Sequence, residues 1–240
     1  MIAAIMQPYF FPYIGYFQLM KVADVFVFYD DVQYMKGGWI NRNRILLDGE
    51  PVWLTLPVRR ASITLPINQR HYLLDNDQIN AIMHRLRVSY EETPAYAQVL
   101  PTLNDLFAFD GSNVAAFNMN LLTELARKLD INCQFVASSE LEKTPGLKGQ
   151  EKVIDVCRRL GATEYINSIG GFDLYDQHAF RQSGVELSFL RARTTNYAQA
   201  GKSHVPFLSI IDVLMFNSFE RTKPLLDEYD AIAPSRAEQQ

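Results

Sequence analysis

Cysteine is scarce in this 240-residue chain: Cys133 and Cys157 stand far apart, with no C-x-x-C pair. Two thiols build neither a secreted disulfide scaffold nor a four-ligand structural zinc site, so a reducing, cytoplasmic setting is expected. Long apolar runs are missing too. Lys21, Asp24 and Asp30 divide the most apolar region, which leaves no stretch of the roughly 20 residues that a spanning helix needs. Gln7, Pro8, Pro12 and Gly15 break up the start before an export signal can form. No membrane insertion is expected. A cationic excess is also absent: Lys+Arg 23 against Asp+Glu 27 gives a net charge of −4, whereas a nucleic-acid partner calls for concentrated positive charge. None is expected, although a local basic groove fits this balance. His71, His84, His178 and His204 show no close ligand pairing, so no metal site is assigned. No G-x-S-x-G elbow is present, and neither Gly146–Lys152 nor Gly201-Lys202-Ser203 has Walker spacing.

What is present is an α/β rhythm. Residues 1–6 form a short apolar run that stops at Gln7-Pro8, a helical pattern follows to Val22, and Val25-Phe26-Val27-Phe28-Tyr29 is a second β-rich run ending at Asp30-Asp31. Trp39–Leu47 and Val52–Val58 read as a hairpin turning at Asp48-Gly49. Three helices are expected between 75 and 129, with Pro94 and Pro101 at the start of the second and Ser112 capping the third. Strands at 132–137, 164–166 and 185–190 then alternate with helices at 150–160 and 175–182, and helices at 207–216 and 224–229 close the chain. The fold class is therefore α/β, a mostly parallel Rossmann-like sheet with an inserted β-hairpin at about 39–58 and a helical insertion. The core covers 1–70 and 130–234, the helical insertion 71–129, and 235–240 reads as a frayed tail.

Ligands of open α/β sheets collect at the carboxyl ends of the strands, which brings the loops after the first two strands to one rim. The first, Gln7 to Phe17, holds two prolines and five aromatics, costly at a surface unless they line something; they could equally be core beneath a loop. Gln7, Pro8, Tyr9, Tyr13 and Gly15 are candidate binding residues there, Gly15 because it lets a ligand or another backbone approach. The second offers Asp30 and Gln33; a carboxylate at this place can hold magnesium, take a proton or bind a sugar hydroxyl, or it can cap a turn. On the hairpin, alternation puts Asn41 and Asn43 on one face and Arg42 on the other, and an arginine on a rigid strand suits two-pronged phosphate binding, though exposed arginines are usually just solvated. Ser139 lies at the end of a strand, and Lys148, between Gly146 and Gly149 just ahead of a helix, is a candidate mobile phosphate clamp or simply a solvent-facing lysine; His71 and His204 are candidate proton acceptors on loops, although a structural role is the commoner one for such a histidine.

Several motifs in order resemble the WbqC-like protein family: Met6-Gln7-Pro8-Tyr9-Phe10 to Pro12-Tyr13-Ile14-Gly15-Tyr16-Phe17, Ala23-Asp24-Val25-Phe26-Val27 to Asp30-Asp31-Val32-Gln33-Tyr34, Trp39 with Asn41-Arg42-Asn43, Ser138-Ser139, Gly161-Ala162 with Tyr165-Ile166, and Tyr197-Ala198-Gln199 to Leu208-Ser209-Ile210-Ile211-Asp212. The resemblance spans nearly the whole chain. It implies a bacterial enzyme tied to O-antigen and related surface-glycan gene clusters, and it adds Tyr197 and Gln199 to the binding set. The layout from Ala4 to Gln33 is also similar to H-x-G-H nucleotidylyltransferases, with Tyr13-Ile14-Gly15-Tyr16 in the signature position. There Tyr16 would donate a hydrogen bond where a histidine stands, without its charge.

The leading expectation is a transferase that binds a nucleotide-activated sugar and places an acyl or aminoacyl group on an amino substituent, with Asp30, Tyr16 and His204 as catalytic groups. A magnesium-dependent nucleotidylyltransferase and a non-catalytic binding protein of glycan assembly are the alternatives. The expected partner is a nucleotide or nucleotide-sugar, with homo-oligomerisation left open.

Overall fold

The computed structural model describes residues 1–193, 197–199 and 203–233. The expected tail at 235–240 and Gly201-Lys202 lie outside the described residues. The chain runs β1 (Ile2–Met6), α1 (Ile14–Val22), β2 (Val25–Phe28), β3 (Arg42–Leu47), β4 (Glu50–Thr55), α2 (Asn76–Tyr90), α3 (Tyr96–Phe107) and α4 (Val114–Lys128). It continues with β5 (Gln134–Ala137), α5 (Gly149–Leu160), β6 (Glu164–Ser168), α6 (Gln177–Gln182), β7 (Glu186–Ala192), α7 (Ile210–Thr222) and β8 (Tyr229–Ile232).

Six strands form one sheet in the order β5-β2-β1-β6-β7-β8. The first five are mutually parallel, with Ala3 opposite Val25 and Tyr165 opposite Leu187, and β8 runs antiparallel on the edge of β7. The α/β class and the mostly parallel sheet are as the sequence indicated. Side-chain alternation divides the sheet between two cores. Ala3, Ile5, Val25 and Val27 face α5 and α6 together with Tyr165 and Phe180, while Ala4, Phe26 and Phe28 face α1. That second core is continuous with the interior of α2, α3 and α4, through residues such as Leu86, Leu103 and Leu122.

Several local expectations are corrected. The hairpin does not enter the main sheet; β3 and β4 pair only with each other and bury Ile45, Leu46 and Leu54. Pro101 sits inside α3 rather than at its start, and Asn113, not Ser112, caps α4 by accepting from the Ala116 N–H at 3.0 Å. α6 begins two residues later than its apolar pattern, because the Asp176 carboxylate accepts from the His178 N–H and fixes the first turn there. The closing helix expected at 224–229 is a 3-10 helix at Pro224–Asp227 and stops short of Tyr229, since the open edge of β7 offers Tyr229–Ile232 a ladder of backbone partners.

Candidate functional site

The strand order reverses at β1, which has β2 on one side and β6 on the other. Crevices open at such a switch point, outside the carboxyl ends of the strands. Residues 7–13 cross this place and are anchored by buried groups. Asn43 Nδ2 donates to the Phe11 carbonyl at 2.8 Å, and Ser209 Oγ donates to the same oxygen at 2.8 Å. Asn118 Nδ2, from α4, donates to Pro8 O and Ile40 O at 2.8 and 2.7 Å, and Tyr72 donates to its Oδ1. Between these ties Phe11 holds a φ of 42°, a left-handed backbone that a bulky residue adopts only under constraint. Phe10 and Phe11 are fully buried, so part of the aromatic segment is core.

α1 opens at Tyr13-Ile14-Gly15-Tyr16. The Tyr13 hydroxyl meets Ser168 Oγ at 3.2 Å, joining the ends of β1 and β6. A Cβ at Gly15 would overlap the Tyr13 ring, so the glycine lets that ring lie against the first turn. Tyr16 is fully buried, donates to the Gln7 carbonyl at 2.7 Å, and has its pKa raised well above the ordinary range by burial. Its hydroxyl thus holds the turn. Tyr9 packs its half-buried ring 5.7 Å from that of Tyr16.

The adjacent acids after β2 part company. Asp30 is 2% exposed; it accepts from the Ser139 N–H at 2.9 Å, from Ser139 Oγ at 2.6 Å and from Asn68 Nδ2 at 3.2 Å. Asp31 meets Lys143 and Lys152, each 3.0 Å from Oδ2, with the Lys152 ammonium also over the Tyr29 ring. Burial raises the Asp31 pKa, but hydrogen bonds from Ser138 and the two lysines outweigh it and leave the carboxyl below its usual value. Lys148 is exposed at the N-cap of α5.

Gln33, Asn41 and Arg42 come together in a cleft of about 860 Å³ between residues 33–42 and 55–70. Lys36, Arg59, Arg60 and Arg70 complete five cationic side chains along its wall, with no carboxylate among the lining residues. The walls are tied by Gln33 Nε2 donating to Ile63 O at 2.9 Å, by Tyr34 donating to Asn41 Oδ1 at 2.8 Å, and by Asn41 donating to Leu56 O at 2.9 Å. Arg70 is 8% exposed; its guanidinium lies 4.7 Å over the Tyr34 ring and donates through Nη1 to Ser62 O at 2.8 Å, while its buried Nε has no partner. A buried guanidinium without a counter-ion is costly. The adjacent pair Arg59-Arg60 is the signal that could have revealed this wall in the sequence; Lys36 and Arg70 give none until the loops are folded.

Tyr13, Tyr197 and His204 line a separate, small cavity of about 20 Å³, which Arg193 and Phe207 also border. Beneath it, the fully buried Asp212 of α7 accepts from Tyr197 at 2.6 Å, from Tyr90 at 2.8 Å and from Gln199 Nε2 at 3.2 Å. Burial raises the Asp212 pKa, opposed by those hydrogen bonds and by His204. The His204 ring stands edge-on to Tyr197, with centroids 5.4 Å apart. The expected residues are therefore distributed: Gln33, Asn41 and Arg42 line the cationic cleft, Tyr13, Tyr197 and His204 the small cavity, and Asp30 with Ser139 a buried knot. Among the described residues no three His, Cys, Asp or Glu side chains gather as a metal site, and no helix is long and apolar enough to cross a membrane.

Fold and cleft together define an α/β protein with a cationic cleft beside its hairpin. The chain belongs to the WbqC-like protein family, whose sequence model matches residues 7–224. It is also similar to "Uncharacterized protein Rv1507c" of Mycobacterium tuberculosis, with 29% identity over 218 residues, covering 89% of this chain and 92% of that protein. No solved structure matches.

Proposed function

We propose that this protein is a transferase of bacterial surface-glycan assembly that binds a nucleotide-activated sugar and acylates or aminoacylates its amino group. The observation that carries the reading is the cleft. Five cations without a lining carboxylate, on a chain of net charge −4, form a local field suited to a diphosphate. Its volume of about 860 Å³ suits a molecule of that size. The glycan context rests on the family resemblance.

In this reading Asp30 and Tyr16 are positioning residues, because their polar atoms are engaged in holding Ser139 and Gln7. In the acyl step the sugar amine bonds to the acyl carbon, the donor's leaving group departs with its electron pair, and the ammonium proton passes to water; His204 borders the separate small cavity and is given no part in it. Calorimetric titration with uridine, guanosine and thymidine diphosphate sugars tests the reading. Saturable binding of one of them, weakened at least about tenfold in Arg42→Ala, is expected for loss of a charged phosphate contact. Failure of all of them to bind would overturn it.

A further inference from the structure

Two indoles stand open on the hairpin side of the cationic cleft. Trp39 and Trp53 are each 40% exposed, with ring centroids 5.4 Å apart and planes inclined by 44°. Exposed tryptophans paired in this way leave a large apolar, polarisable face in water. The Arg42 guanidinium lies 4.1 Å over the Trp53 ring and is fixed by donating to Gly37 O and Gly38 O. Arg42 is at the same time a lining residue of the cleft, so one side chain touches both the cationic wall and the indole pair.

We propose that the Trp39–Trp53 pair is the stacking face for the nucleobase of the nucleotide whose phosphates occupy the cleft. This inference rests on the nucleotide-sugar reading above and names where the base lies. Continuity through Arg42 is the ground for choosing a base over other apolar occupants. A base carries a π-face that packs on an indole and on a guanidinium alike, and its phosphates would then fall among Arg42, Arg59, Arg60 and Arg70. Such stacking tolerates different bases, so it adds affinity more than discrimination. The platform is rigid because β3 and β4 are paired from Arg42 opposite Thr55 to Leu47 opposite Glu50 and bury their inner aliphatic face.

The chain contains two tryptophans, and they are this pair, so its whole indole emission reports on the proposed face. The experiment is a fluorescence titration run beside calorimetry on the full chain. The ligands are uridine, guanosine and thymidine diphosphate sugars, inorganic pyrophosphate and methyl glycosides. Quenching by nucleotide ligands alone is expected, with pyrophosphate competing calorimetrically but leaving emission unchanged. Trp53→Ala should weaken nucleotide binding at least about fivefold, while Trp53→Phe, which keeps a ring and the hairpin's packing, should retain most of it. Calorimetric binding of a nucleotide sugar with unchanged emission would overturn the stacking face and leave the cleft reading standing. Calorimetric silence would remove both. Quenching by methyl glycosides would assign the face to a sugar ring, and an emission shift on diluting the ligand-free protein would assign it to a second copy of the chain; either overturns the proposal.

Discussion

The Tyr197 hydroxyl donates to Asp212 Oδ1 at 2.6 Å, and this bond fastens the loop after β7 onto helix α7. Tyr90 from α2 and Gln199 donate to the same carboxylate, at 2.8 and 3.2 Å. Three parts of the chain thus meet at one buried acid.

That acid gives a pH dependence with a definite sign. Burial raises the folded-state pKa of Asp212 above its usual 3.8, so the native protein holds this proton more tightly than the unfolded chain. Its contribution therefore grows as pH falls through the folded value toward 3.8 and diminishes as pH rises. Asp31 acts in the opposite sense: hydrogen bonds from Ser138, Lys152 and Lys143 overcome its burial and lower its pKa, so its stabilisation is present above 3.8 and lost as pH falls through the folded value. In thermal melts recorded across acid pH, Asp212→Asn should remove the gain on acidification toward 3.8. Asp31→Asn should soften the loss below that value, with Asp155, also lowered, keeping a share of it. Profiles parallel to the parent's would refute both assignments.

Asp30→Ala leaves the Ser139 N–H, the Ser139 hydroxyl and the Asn68 amide without their shared acceptor. Hydrogen bonds to charged groups contribute about 1.5–3 kcal/mol, so urea denaturation should show a loss of about 2 kcal/mol or more. A loss below about 0.5 kcal/mol would show that the knot does not hold these segments together.

Gly15→Ala gains helix propensity of up to about 1 kcal/mol but drives its methyl into the Tyr13 ring. Because the ring is the end of a movable side chain, the fold should survive with near-parental stability while Tyr13 leaves Ser168. A crystal structure of the variant checks this directly. Tyr13 found still bonded to Ser168 would contradict it.

Much of the architecture was legible from local pattern. Val25-Phe26-Val27-Phe28 reads as a buried strand whatever surrounds it, and Gly161 stops α5 with the left-handed φ of 70° that glycine adopts freely. Tyr229–Ile232 was not legible, because its strand state is decided by the distant edge of β7. The hairpin's isolation was hidden for the same reason, since β3 and β4 look alike whether they join a sheet or pair alone. At the site, Arg42 was visible from alternation on a strand. Arg70 was not: its value lies in being buried beside Tyr34 without a carboxylate, a property of the folded loops rather than of its neighbours in sequence. Asp30 and Asp31 looked equivalent until folding gave one to Ser139 and the other to two lysines.

The central claim is that the cationic cleft holds the diphosphate of a nucleotide sugar. Phosphorus NMR of a bound nucleoside diphosphate sugar, read against Arg70→Gln, tests it most directly. The account predicts that both phosphorus resonances shift on binding the parent protein and that the shifts shrink, with weaker affinity, in the variant that keeps the cleft's shape but loses its buried charge. Resonances that do not move, or that move identically with Arg70→Gln, would contradict it.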